Sequence, residues 1–371
     1  MPEESVTSTD ESLEFTTSPG FTGWLAEQEV SLAFTTYQSS RLFLVGHESD
    51  GRLSVNERLF RRAMGTWTDG QTIWLSTLYQ LWRLENVLRP GLSYMGHDRL
   101  YVPRFSHVTG GINVHDIGID AQGAPVFVAT QFSCLAAPSP THNFRMIWKP
   151  PFVSALEPED HCHLNGLAMR DGRPRYVTAL ADTDTVQGWR HVPRNRGCVT
   201  DIDANEVILR GLFVPHSPRW FDEGLWLLQS GAGTICRVDL SAPRCETVAL
   251  CPGYLRGFSM VGRYAVVGLS KPRRAGAFDE FDLAQVLDRH KMQPRCGIAI
   301  VDTVSGQLVH WLWLEGFATE IYDVVALPGV QRPMAVGFIS DQIETVLTIE
   351  GHPLPIQGPI RDPTRGGGPP S

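Results

Sequence analysis

The strongest constraint on the fold is a strand–turn–strand unit that recurs through the middle of the chain. A short apolar run meets a turn carrying Gly or Asp, and a second run rich in Trp, Val and Leu follows. Gly65-Thr-Trp-Thr-Asp-Gly-Gln-Thr-Ile-Trp74 aligns in this way with Arg219-Trp-Phe-Asp-Glu-Gly-Leu-Trp226. The same shape opens at His115, Asn165, Arg256 and Tyr322, and a weaker copy runs from Ser31. The full copies open near 64, 115, 165, 216, 256 and 322, so the spacing is about 50, then 40, then 66 where a helical stretch intervenes. One small sheet cannot bury both of its faces alone. A period of roughly 40–50 residues with four short strands per unit therefore predicts an all-β fold, a β-propeller whose blades stack around an axis. Counting the Ser31 copy favours seven blades; six result if the N-terminal strands complete the last blade. A two-sheet sandwich leaves the recurrence unexplained.

The rest of the chain fits a single domain. The 35 Gly and 26 Pro suit tight turns, and charged residues at only 19 % suit sheets buried on both faces. Helical periodicity is confined to residues 276–291, where Phe278, Phe281, Leu283 and Val286 fall on one side. Residues 1–20 are polar and 359–371 are low in complexity, so both ends are expected to be disordered and 21–358 to form the propeller. The N-terminus has no basic and apolar signal, and none of the seven cysteines forms a Cys-x-x-Cys pair. Reduced thiols in a cytoplasmic protein are the expectation. Acidic residues outnumber basic ones, 40 to 32, which argues against a nucleic-acid partner. No apolar run reaches the roughly 18 residues that span a bilayer, so no membrane partner is expected either.

In a propeller the innermost strand of every blade starts at one face of the central channel, so the opening residues converge although they lie far apart in sequence. The register places His115, Asn165, His216, Arg256 and Tyr322 in one ring with Met64, and adds Asp116, His163, Ser217, Glu320 and Asp323 as neighbours. Buried polar groups are costly unless paired, so this collection predicts a wet axial funnel for a small-molecule or peptide-like ligand. The expected catalytic set is His115, His216, Arg256, Tyr322 and Asp323. Asn165, Asp116, Glu320, Trp189 and Arg190 are the expected substrate-binding residues. His115, His163 and His216 could hold a metal, iron in preference to zinc, from three consecutive blades. A metal-free version uses His115 or His216 as general base, Arg256 as clamp for an anionic group, and Tyr322 or Asp323 as proton partner. Ser217 lacks the Gly-x-Ser-x-Gly context of a nucleophile elbow, and Ser230-Gly-Ala-Gly-Thr234 reads as a hairpin turn. No nucleotide or haem-attachment motif is present. The reading is an enzyme, either oxygenase-like with a metal or an acid–base lyase, isomerase or hydrolase. Its rival is a non-catalytic platform with a protein or ligand on a propeller face. An enzyme should gather His115, His216, Arg256 and Tyr322 in a pocket about 10 Å across. A platform should plug the axis and expose an aromatic patch on a rim.

An ordered set of motifs, Gly111-Ile-Asn-Val-His-Asp, Cys162-His-Leu-Asn-Gly-Leu-Ala-Met, Pro215-His-Ser-Pro-Arg-Trp, Tyr254-Leu-Arg-Gly and Glu320-Ile-Tyr-Asp-Val, resembles a family of bacterial proteins described as conserved hypothetical. Gly188-Trp-Arg and Val267-Gly-Leu-Ser-Lys-Pro resemble it too, and the resemblance spans about residues 20 to 348. It implies a propeller-like domain and supplies no reaction, so the site residues rest on the repeat register alone.

Overall fold

A computed structural model of the chain describes residues 12–272, 283–351 and 360–361. Six sheets of four or five strands stand as blades around an axis. Their innermost strands are Thr66–Thr68, Val114–Ile119, Leu164–Arg170, Pro215–Phe221, Tyr254–Val261 and Asp323–Pro328, the first to sixth blades. Each begins within two residues of an opening expected from the repeat. The count is six and not seven. The Ser31 copy is the second strand of the sixth blade, Val30–Thr36, which pairs antiparallel with Asp323–Pro328 from the far end of the chain. Arg41–His47 and Leu53–Leu59 complete that blade, so the ring is closed by strands from both ends of the sequence.

Two blades gain a fifth strand. Leu13–Thr17 pairs outside Gln307–Gly316, and Pro333–Ala335 runs parallel to Arg99–Val108. Leu13–Thr17 lies within the segment 1–20 that was expected to stand outside the propeller. The short pair Ile360–Arg361 with Ser93–Tyr94 lies within the expected tail. The expected helix at 276–291 is realised over Leu283–Arg289, with Leu283 and Leu287 buried; Phe278 and Phe281 lie outside the described residues.

Alternation along the strands gives each blade two apolar faces, and these meet as one hydrophobic cluster per blade interface. Trp74 and Leu81 of the first blade pack on Val114, Ile117 and Phe127 of the second. Phe34 and Phe43 of the sixth pack on Val266, Ile298 and Leu312 of the fifth. Each such fully buried side chain contributes about 1.5–3 kcal/mol. Trp74 and Trp226 hold equivalent places on second strands, as the repeat implies.

Near the axis polar groups replace apolar ones. In five of the six blades a hydroxyl at or near the end of the second strand donates to a carbonyl at or just before the opening of the next blade's inner strand. Thr35 donates to Met64 O (2.6 Å), Ser76 to Val114 O (2.8 Å), Thr130 to Leu164 O (2.6 Å), Ser230 to Leu255 O (2.6 Å) and Ser270 to Ile321 O (3.2 Å). In the third blade the link is relayed: Thr178 donates to Asn165 Oδ1 (2.7 Å) and Asn165 Nδ2 donates to Pro215 O (2.9 Å). The strands approach so closely that only glycine fits at Gly257, where φ is 72° and a Cβ would lie 2.3 Å from Val324 N.

Candidate functional site

The inner-strand openings surround a funnel of roughly 330 Å³ at one face of the propeller. Its lining includes Met64, His115, His163, Trp189, Arg190, Arg194, His216, Tyr254, Arg256 and Tyr322. Of the expected catalytic set, His115, His216, Arg256 and Tyr322 meet here, and Trp189 and Arg190 form part of the wall from a short 3-10 turn, Gly188–Arg190. Beneath lies a void of only about 10 Å³, water-sized, bounded by Asp116, Asn165, Ser217 and Asp323 together with the funnel residues.

The other expected residues stand below or beside the funnel, and Asp116, Asn165 and Asp323 carry interblade bonds. Asp116 accepts Leu167 N–H from the next blade (2.9 Å), Asp323 accepts Thr66 N–H (2.8 Å) and Ser217 accepts Gly257 N–H (3.1 Å). Asn165 is committed to Thr178 and Pro215 O as described. Glu320 is buried and accepts Gln38 N–H at 3.2 Å, outside the funnel lining. Arg219, not singled out from the register, reaches into the axis. It meets Asp116 at 2.7 Å and Asp323 at 3.8 Å, and this triad floors the channel. Burial pushes the Asp323 carboxyl up to about 7, with the Asp116 charge adding to the rise and Arg219 opposing it.

The hydrogen-bond network assigns the imidazole tautomers. His115 Nδ1 lies 3.0 Å from Asn113 O and 2.7 Å from Thr130 Oγ1. The Thr130 proton is already given to Leu164 O, so Nδ1 carries the hydrogen and Nε2 keeps its lone pair. His216 repeats this arrangement with Val214 O at 3.1 Å and Ser230 Oγ at 2.9 Å, the Ser230 proton going to Leu255 O. Asn113 and Val214, each two residues before its histidine, have φ of 53° and 52°. For β-branched Val214 this is a strained conformation. Burial, reinforced by the Arg256 charge, holds His216 well below the ordinary imidazole value. His115 is lowered likewise by burial, then by His163 and Arg256. Both are neutral at pH 7.

Arg256 Nη2 lies 3.5 Å from His216 Nε2, and its guanidinium sits 4.7 Å from the Tyr322 ring centroid. Arg256 Nε and the Tyr322 hydroxyl are buried without a hydrogen-bond partner. Both donors belong to residues that line the funnel, and a buried donor without a partner is an exception in a folded protein.

The expected metal site does not assemble. Among the described residues, the three His, Cys, Asp or Glu side chains whose ligating atoms converge within 4.8 Å are Glu157, Glu159 and His161. His115, His163 and His216 do not converge in this way, and the Arg256 guanidinium beside His216 Nε2 opposes a second cation there. This geometry gives no support to iron or zinc on those histidines. His161 is itself engaged, with Nε2 2.9 Å from Glu159 and Nδ1 3.0 Å from Asp184. Burial pushes its pKa down, but the two carboxylates hold it above the ordinary value.

The fold and the site define a six-bladed β-propeller with a polar, cation-bearing funnel above a closed axis. The chain belongs to the family described as a domain of unknown function, DUF4915, whose model matches residues 19–336. No curated protein sequence matches it. Among solved structures, a chain of a nidogen/laminin complex superposes with a TM-score of 0.50 at 11 % identity, covering 81 % of this chain and 99 % of that one. TolB from Acinetobacter baumannii gives 0.46 at 12 % identity, over 81 % and 66 % of the two chains. Virginiamycin B lyase from Staphylococcus aureus gives 0.37 at 9 % identity, over 82 % and 99 %. The likeness to the nidogen/laminin chain concerns the propeller fold alone.

Proposed function

We propose that the protein is an enzyme that binds a small anionic substrate in the axial funnel and acts on it by acid–base chemistry. One observation carries this reading. The described lining of the funnel holds three arginines and three histidines and no carboxylate, in a chain of net charge -8. A funnel so charged concentrates anions. Arg256 Nε and the Tyr322 hydroxyl supply donors for a carboxylate, and unprotonated Nε2 atoms supply acceptors for a proton. Arg256 also stabilises negative charge that develops when a proton next to that carboxylate is removed, which lets a weakly basic imidazole remove it.

The test is a panel of small carboxylic acids (2-oxo, 2-hydroxy, aromatic and N-acyl amino acids) examined by ligand-observed NMR in D2O. At least one should bind, lose binding to Arg256→Met, and exchange a carbon-bound proton for deuterium at the protein. Binding that is indifferent to Arg256→Met, or no binding across the panel, overturns the reading. A non-catalytic platform is the second reading, and a surface feature favours it. Phe338, 44 % exposed, packs 4.8 Å from Trp82 and 5.6 Å from Phe60, beside Ile339 at 83 % exposure. Carboxylate binding without any exchange would support that reading.

A further inference from the structure

The three funnel imidazoles differ in what holds them. His115 and His216 give Nδ1–H to neutral partners, a carbonyl and a hydroxyl. His163 gives its Nδ1–H to the Asp160 carboxylate at 2.8 Å, and Trp189 Nε1–H holds the same oxygen at 3.1 Å. Asp160 is only 7 % exposed, and its other oxygen is buried with no partner. Asp160 and His163 both have φ of 50°, a strained conformation for residues with side chains. The Asp160 N–H bond to Gln131 O (2.9 Å) anchors the loop. The Trp189 indole lies 4.3 Å from the His163 ring, with the Arg190 guanidinium 4.1 Å from the indole centroid.

An imidazole backed by a buried carboxylate is locked with Nε2 as the acceptor, and the cation formed on taking a proton lies against a negative charge. His115 and His216 face the opposite situation, because burial and Arg256 disfavour their cations. We propose that His163, positioned by Asp160 and Trp189, is the imidazole that moves the proton in this funnel. The proposal deepens the acid–base reading above and rests on it for the substrate's charge. The groups facing His163 are Asp160, Trp189 and His115, whose ring lies 4.9 Å away edge-on. The arginines of the funnel add positive charge, and a neutral His115 adds none.

The test uses two alkylating probes on the full chain, anionic iodoacetate and neutral iodoacetamide. The Nε2 lone pair attacks the methylene carbon, a C–N bond forms, the C–I bond breaks, and iodide leaves with the electron pair. The Nδ1 proton of the resulting imidazolium stays against Asp160. Peptide mass mapping locates the modification and separates it from the cysteines, of which Cys245 alone is not fully buried. The expected result is modification at His163 ahead of His115 and His216, slowed roughly tenfold or more by Asp160→Asn. Asp160→Ala, which removes the carboxylate altogether, should slow it in the same direction and serves if Asp160→Asn fails to fold. Preferential modification of His115 or His216, or an unchanged rate in the folded variant, overturns the proposal. Equal rates with the two probes at His163 would instead overturn the anionic-substrate reading and leave the Asp160–His163 pair standing.

Discussion

Arg219 on the fourth blade reaches across the axis to Asp116 on the second, with Nη1 to Oδ2 at 2.7 Å and Nη2 to Oδ1 at 3.2 Å. The residues stand 103 apart in sequence, and their pairing links the second and fourth of the six blades past the third. The same guanidinium gives Nε–H to Phe258 O at 3.0 Å on the fifth blade. Arg219→Met leaves Asp116 and Asp323 as buried carboxylates without their cation. Breaking one side of a buried pair costs about 3–5 kcal/mol, and that loss is expected in chemical denaturation. Asp116→Asn combined with Arg219→Met should recover part of it. A single variant as stable as the parent would remove the triad from the account of stability.

Asp323 should give the fold a distinctive pH dependence. Burial, with the Asp116 charge, raises its carboxyl from 3.8 to about 7 in the folded protein. The folded state therefore holds a proton that the unfolded state has released. This group's contribution is fully present below about pH 4 and is lost as pH rises through about 7. Subtracting the stability of Asp323→Asn from that of the parent at each pH isolates the trend. The difference should decline between about pH 4 and 7, and a difference that rises over that window contradicts the assignment.

Much of this architecture is legible in the sequence, for a physical reason. The inner strands repeat the same apolar–turn–apolar pattern because each solves the same burial problem, so their register places His115, His216, Arg256 and Tyr322 together. The blade count is not legible. Val30–Thr36 is a strand as regular as any other, and nothing local says that its inner neighbour comes from Asp323–Pro328. Arg219 escapes the register because it lies four residues past Pro215, where its strand opens, and its long side chain reaches into the axis. Asp160 precedes its strand in a loop, where periodicity carries no information. Asn165 holds a register position and Asp116 and Asp323 adjoin one, but their interblade hydrogen bonds depend on contacts across 50 residues or more.

The histidines act in the opposite sense to Asp323. His216 is held well below 6.5 by burial and then by Arg256, so below that pH the unfolded chain binds a proton that the folded one refuses. Stability carried by this group is present above about pH 6.5 and is lost on acidification. His216→Gln removes the titration and keeps a polar side chain. Relative to the parent it should gain stability steadily as pH falls from 6.5 to 5. A constant gap between the two denaturation curves over that range would mean that His216 takes up its proton in the folded protein as readily as in the unfolded one.

Tyr322 and Arg256 should separate stability from binding. The Tyr322 hydroxyl is buried without a partner, and burial pushes its pKa well above the usual phenol range, so it remains a neutral donor. An unsatisfied buried hydroxyl is destabilising, so Tyr322→Phe should stabilise the unliganded protein by about 1 kcal/mol. The same change removes a donor to the bound anion and should weaken a carboxylate ligand by about 1 kcal/mol, roughly fivefold in Kd. Arg256→Met removes a charged donor and should weaken it by about 1.5–3 kcal/mol, roughly ten- to a hundredfold. Thermal unfolding of the free proteins and calorimetric titration with the best carboxylate of the panel measure the two effects independently. A Tyr322→Phe protein that is both less stable and equally good at binding would show that the hydroxyl serves the fold, and anion binding would then rest on Arg256 alone.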